Sequence, residues 1–369
     1  MPDIQSNPKS NITDTRHTPT NQNVVENNSA LDKASIKIRY PAFFWNQTQE
    51  LIKNIESKVN TKVLVYYMNP DSSIVNDDVE YFYSHIKDLS SDLPITLILV
   101  SNGGSGMAAW RIANLLKQFC NHLTVVVASR CASAATLLCL SADKILFGPS
   151  GYLTAIDTSL NHVLNPKSSK GDNANVSVDQ INRIKTIINN DLKNHPSTKT
   201  ASEILFEYIH PIVIGELERT SNLSKMIAKN LIELRNDQLT EEVKDKIIDT
   251  LNDSYPAHGY PIVLKEAKQI GLPAESLSKD ANQIVWELIK SYSLITKKAT
   301  TDFTSNFYHV EVIPVIIESV GKRTFYSNSF SKQFEPAVGW SIKDDKTSWL
   351  SATPNPESPE KPKISQIEL

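Results

Sequence analysis

Three short runs, Val63–Met68 (VLVYYM), Ile95–Val100 (ITLILV) and Leu123–Ala128 (LTVVVA), are apolar or aromatic at almost every position and rich in β-branched residues. Runs of this length without polar alternation suit strands covered on both faces. Asn69-Pro70-Asp71 breaks the first run, and a glycine-rich turn ends the second. Between the second and third, Ala108, Ile112, Leu115, Leu116 and Phe119 fall on one helical stripe. A chain that returns from strand to strand through helices builds right-handed crossovers and neighbouring parallel strands. The expected fold class is therefore α/β, with a mostly parallel buried sheet and surrounding helices.

The rest of the chain fits around that body. Of 369 residues, 40% are hydrophobic and 21% charged, with a formal charge of −3. This is ordinary for a soluble globular protein and gives no basic field to attract nucleic acid or an anionic membrane. Residues 1–34 and 351–369 are polar and poor in large apolar side chains, so both ends are expected to be disordered. Residues 35–275 read as the main domain, with a flexible polar insertion at 165–179, and 276–350 as a mixed α/β extension. Met1–Asn28 has no apolar stretch of the secretory kind and no integral membrane segment is evident, so a cytoplasmic protein is expected. Cys120, Cys131 and Cys139 form neither a disulfide framework nor a C-x-x-C zinc pair, and no metal is expected.

Two strand-to-helix turns carry the chemistry. In Ser101-Asn102-Gly103-Gly104-Ser105-Gly106, glycines just past a buried strand allow positive φ and can turn backbone N–H groups toward a ligand. The turn lacks both the Lys-Ser/Thr of a P-loop and the G-x-G-x-x-G of a dinucleotide site, so no nucleotide cofactor is expected. In the second turn, Ala132-Ser133-Ala134-Ala135 opens an apolar helix directly after the third strand. A serine there has its Oγ at the cleft and a free amide beside it, suiting a nucleophile with an oxyanion donor. It suits a simple helix cap equally well.

Taken in order, these pieces resemble the Clp protease/crotonase superfamily, and within it the serine dehydrogenase proteinase family, related to signal peptide peptidase A. The residues that carry the likeness are Leu99–Gly104, Ala132–Leu138, Ser141–Ile145, Gly151–Asp157, His258–Ile262 and Glu266–Leu272. The resemblance implies an ATP-independent serine peptidase acting on a peptide or protein, needing no cofactor and assembling as a homo-oligomer. It implies Ser133 as nucleophile, the amides of Gly104 and Ala134 as oxyanion hole, and Gly103 shaping the turn.

The general base stays open. Clp-type relatives use a histidine and an acid, and signal-peptide-peptidase-type relatives a lysine. The segment Leu153–Thr158, where the Clp-type histidine would fall, contains none; Asp157 lies there instead as a candidate orienting acid. His258 is the candidate base and Lys185 its alternative. Two other readings remain: a crotonase-like acyl-CoA enzyme, and a catalytically inactive Clp-fold scaffold.

Overall fold

The computed structural model describes residues 38–90, 93–157, 159–160, 163–165, 167, 176–195, 197–301 and 306–367. The N-terminal segment 1–34 and most of the insertion 165–179 lie outside the described residues. The chain runs through α1 (Trp45–Val59), β1 (Lys62–Met68), α2 (Asp78–Ile86), β2 (Ile95–Ser101), α3 (Gly106–Gln118), β3 (Leu123–Cys131), α4 (Ala134–Leu140) and β4 (Lys144–Phe147). Short strands β5 (Tyr152–Leu153), β6 (Ser159–Leu160) and β7 (Val176–Ser177) lead into a helical stretch. It comprises α5 (Val178–Asn194), α6 (Ala201–Phe206), α7 (Pro211–Glu233), α8 (Glu241–Asp253) and α9 (Leu264–Ile270). After β8 (Ala274–Ser276) and α10 (Lys279–Ile295) come β9 (Ala299–Thr300), β10 (Phe307–Ser319), β11 (Lys322–Glu335), β12 (Gly339–Asp345), β13 (Ser348–Thr353) and β14 (Lys363–Gln366).

Strands β1, β2, β3, β4 and β8 lie side by side and parallel, which is the run that strand–helix alternation requires. Their side chains alternate between two cores. Leu64, Tyr66, Leu97, Leu99, Val125 and Val127 point into one, with residues of α2, α3, α4, α7, α8 and α9. Val65, Tyr67, Ile98, Val100, Val126 and Ala128 point into the other, with α1 and α10. Burial on both faces is why these strands read as continuous apolar runs. Helix α4 is buried at every position, as its composition demands.

The C-terminal region differs from the parallel pattern. Antiparallel β10 pairs with β1, and β11, β13 and β14 follow outward, while β12 and β9 pair with β11 and β10. The "mostly parallel" expectation therefore holds for the first part of the sheet, and an antiparallel half continues it. The tail from 351, expected to be disordered, instead holds the end of β13 and all of β14, which pairs Thr353 with Lys363 and Leu350 with Gln366. Residues 354–362, which hold four prolines, connect those two strands. Edge pairing satisfies the tail's backbone without a hydrophobic side-chain pattern, so composition did not show it. Among the described residues, no helix is long and apolar enough to cross a membrane.

Candidate active site

Both glycine turn and serine turn sit at the carboxyl ends of the parallel strands, where an open α/β sheet presents its cleft. Beyond the apolar run, β3 continues to Cys131 because Arg130 and Cys131 pair with Tyr152 and Leu153 of β5. The chain then turns sharply. Ser133 has φ 52° and ψ −115°, a left-handed value rarely held by a residue with a side chain. Such strain persists only where the surroundings hold it. Here the Ser133 N–H donates to Thr154 Oγ1 (2.9 Å), and the Leu137 N–H donates to the Ser133 carbonyl (3.0 Å). Thr154 is fixed in turn: its N–H donates to Thr136 Oγ1, whose hydroxyl donates to the Cys131 carbonyl. Both threonines are buried. The Ser133 hydroxyl itself makes no capping bond, so the cap reading of this serine does not hold.

The glycine turn packs directly on this elbow. A Cβ on Gly103 would lie 2.6 Å from the Ala132 carbonyl oxygen and 2.8 Å from Ser133 Cβ, closer than real atoms approach. Gly104, at φ 144°, is held against Ile74: the Ile74 N–H donates to the Gly103 carbonyl (2.8 Å) and the Ser105 N–H to the Ile74 carbonyl (2.9 Å). The amides of Gly104 and Ala134 take part in none of the hydrogen bonds recorded among the described residues. Ala134 opens α4, where first-turn amides lack helical acceptors.

Asp157 and His258, 101 residues apart, are joined by a 2.8 Å bond between Asp157 Oδ1 and His258 Nδ1. Two reciprocal hydrogen bonds between Leu153 and Ile262 (3.0 and 2.9 Å) tie their segments together. An Nδ1–H donated to the carboxylate leaves Nε2 as the free acceptor. The hydrogen bond and charge of Asp157 raise the His258 pKa above the ordinary histidine value, partial burial opposing them.

Ser133, Gly104, Ala134, Asp157 and His258 line one cleft of about 360 Å³. Its apolar wall is Met107, Leu137, Ile156, Leu223 and Ile227, with Thr220 and Ser224 of α7 at its side. Lys185 is not brought there: it sits half-buried on α5 and is not among the residues lining the cleft. Sequence reasoning missed Thr154 and Thr136 as supports of the elbow and α7 as a wall. A buried threonine has no periodicity to mark it, although both lie inside motifs quoted above.

One relative is an uncharacterized protein of Methanocaldococcus jannaschii, 24% identical over 264 residues, covering 69% of this chain and 82% of the relative. A second from the same organism is 22% identical over 224 residues, covering 59% and 64%. Among solved structures, a mutant membrane-bound stomatin-specific protease aligns over 62% of this chain and 82% of its own, at 15% identity and TM-score 0.34. ClpP1 from Listeria monocytogenes aligns over 64% and 99%, at 18% identity and TM-score 0.29. The profile of the family described as "ClpP-like SDH-type serine proteinase" matches residues 72–211, a span that includes both turns and Asp157 but not His258. Residues 72–211, somewhat more than a third of the chain, are thus similar to that family.

Proposed function

We propose that this chain is a serine peptidase that cleaves peptide bonds without ATP, through an acyl-enzyme on Ser133. His258 Nε2 takes the Ser133 Oγ proton as Oγ bonds to the scissile carbonyl carbon, and Asp157 holds the imidazole and steadies its charge. The amides of Gly104 and Ala134 receive the oxyanion. The imidazolium returns its proton to the leaving amine, and a water then hydrolyses the ester by the same base. The observation that supports this reading is one cleft lined by a strained serine, two unengaged amides and a hydrogen-bonded His–Asp pair. The apolar wall favours an apolar side chain beside the scissile bond. Exposed Ile184, Ile187, Phe206, Tyr208 and Ile212 on and around α5–α7 support a self-associating protein.

Labelling with a fluorophosphonate tests the reading. The expected adduct, located by peptide mass mapping, is on Ser133. An unlabelled protein that cleaves no member of a broad peptide library would sink the proposal.

The base has its own signature. His258 works as a base only when neutral, and Asp157 raises its pKa. The acid limb of kcat/KM should therefore lie above about 6.5, with activity lost as pH falls through it. Asp157→Asn removes the raising charge and shifts the limb acidward, besides lowering the plateau by up to about 10⁴-fold. A limb that Asp157→Asn leaves in place would assign the base to another group.

A further inference from the structure

A larger cleft, about 940 Å³, opens beside the C-terminus of α10 and over β10 and β11. It shares no lining residue with the cleft at Ser133. The floor is apolar and aromatic: Val310, Val312, Pro314, Tyr326, Phe330 and Trp349. Its lining carries both charges. Arg130 and Thr296 neighbour the Tyr67 hydroxyl, and Lys297 and Lys298 extend from the C-terminus of α10. Asp71 and Asp77 line it too, and Asp77 and Asp78 lie by Tyr81, which stacks on Trp349 at 3.9 Å.

None of these charges is paired with an opposite charge among the described residues. Two polar atoms are buried without any partner: Arg130 Nε and Asp78 Oδ1, the latter on a side chain with no exposed surface. The other Asp78 oxygen is occupied by the Tyr66 hydroxyl and the Val75 N–H. The size, apolar floor and few polar groups are those of a small-ligand site.

The wall between the two clefts is the loop from Asn69 to Asp78. Asp71, Ser72, Ser73 and Val75 face the larger cleft, while Ile74 bonds Gly103 and Ser105 on the other side. Arg130 donates to the Met68 carbonyl, and Asn102 Nδ2 to the Pro70 carbonyl, so the loop's start is also tied to both turns.

We propose that this cleft is a second site, binding a short apolar peptide with free termini, its carboxylate toward Arg130, Lys297 and Lys298 and its ammonium toward Asp77. Occupancy steadies the Asn69–Asp78 loop and through Ile74 the Gly103–Gly104 turn. Peptides of this class are what the proposed hydrolysis releases, and in that respect the inference rests on the peptidase reading; the binding itself does not.

The test uses the full chain carrying Ser133→Ala and the tripeptide Leu-Phe-Leu, followed by calorimetry and amide hydrogen exchange. Reversing the exposed lysines (Lys297→Glu with Lys298→Glu), or capping the peptide as its N-acetyl amide, should each weaken binding by about tenfold or more. His258→Ala should leave binding unchanged. On binding, exchange at the Ile74 and Ser105 amides should slow by about threefold or more. Absence of binding, equal binding by the lysine-reversed protein, or protection confined to the segments around Ser133 and His258 would each overturn the proposal. Failure of fluorophosphonate labelling would bear on the peptidase reading alone, because none of these readouts requires turnover.

Discussion

Ser133→Ala is expected to abolish fluorophosphonate labelling and to lower kcat by about 10⁶, the loss typical when a nucleophile acting with its base is removed. Stability should move by no more than about 0.5 kcal/mol. The two halves of this expectation come from different atoms. The hydroxyl makes no capping hydrogen bond, so the helix loses none when it goes. The strained φ of 52° belongs to the backbone, and alanine, like serine, carries a Cβ there. The bonds that hold the elbow, from the Ser133 N–H to Thr154 and from the Leu137 N–H to the Ser133 carbonyl, do not involve Oγ. Rates against peptide substrates and a denaturant midpoint on the same preparations separate the two quantities. Undiminished hydrolysis by the variant would remove Ser133 from the chemistry. A large loss of stability would mean that this serine is chiefly a structural residue.

What the sequence shows of this site follows how local each feature is. The three apolar runs predict β1, β2 and β3 because burial on both faces leaves no polar position in them. The turns after β2 and β3 are legible for the same reason: glycine and alanine interrupt otherwise bulky surroundings. That the turns touch could only be expected from resemblance, since the Gly103–Ser133 approach depends on β2 and β3 being neighbours. The Asp157–His258 bond is further from reach. It depends on the Leu153–Ile262 bridge, a long-range pairing with no local pattern. The antiparallel half was hidden by its polarity. Lys322–Glu335 (KRTFYSNSFSKQFE) falls in the part read only as a mixed α/β extension, yet it is one long strand in which Arg323 is wholly buried.

That arginine supports the second large expectation: Arg323→Ala should destabilise the protein by about 3–5 kcal/mol. Arg323 and Glu318 face each other across the β10–β11 hairpin, in register and both without exposed surface. The guanidinium Nε donates to Glu318 Oε2 (2.6 Å), one terminal nitrogen to the Phe43 carbonyl and the other to Thr48 Oγ1 (both 2.6 Å). The carboxylate also accepts from Thr48 Oγ1, Gln49 Nε2 and the Tyr292 hydroxyl, each at 2.8 Å. The network thus fastens the antiparallel half to α1 and α10 at once. Removing only the arginine leaves a buried carboxylate with neutral donors alone, and desolvation without a countercharge is what makes the loss large. Replacing both partners, Glu318→Leu with Arg323→Met, leaves no buried charge and should recover most of the loss, giving a strong coupling in a double-mutant cycle. Urea unfolding of the three variants measures this. A loss under about 1 kcal/mol for Arg323→Ala, the range of an exposed pair, would show that the hairpin is held to the helices by apolar contact alone.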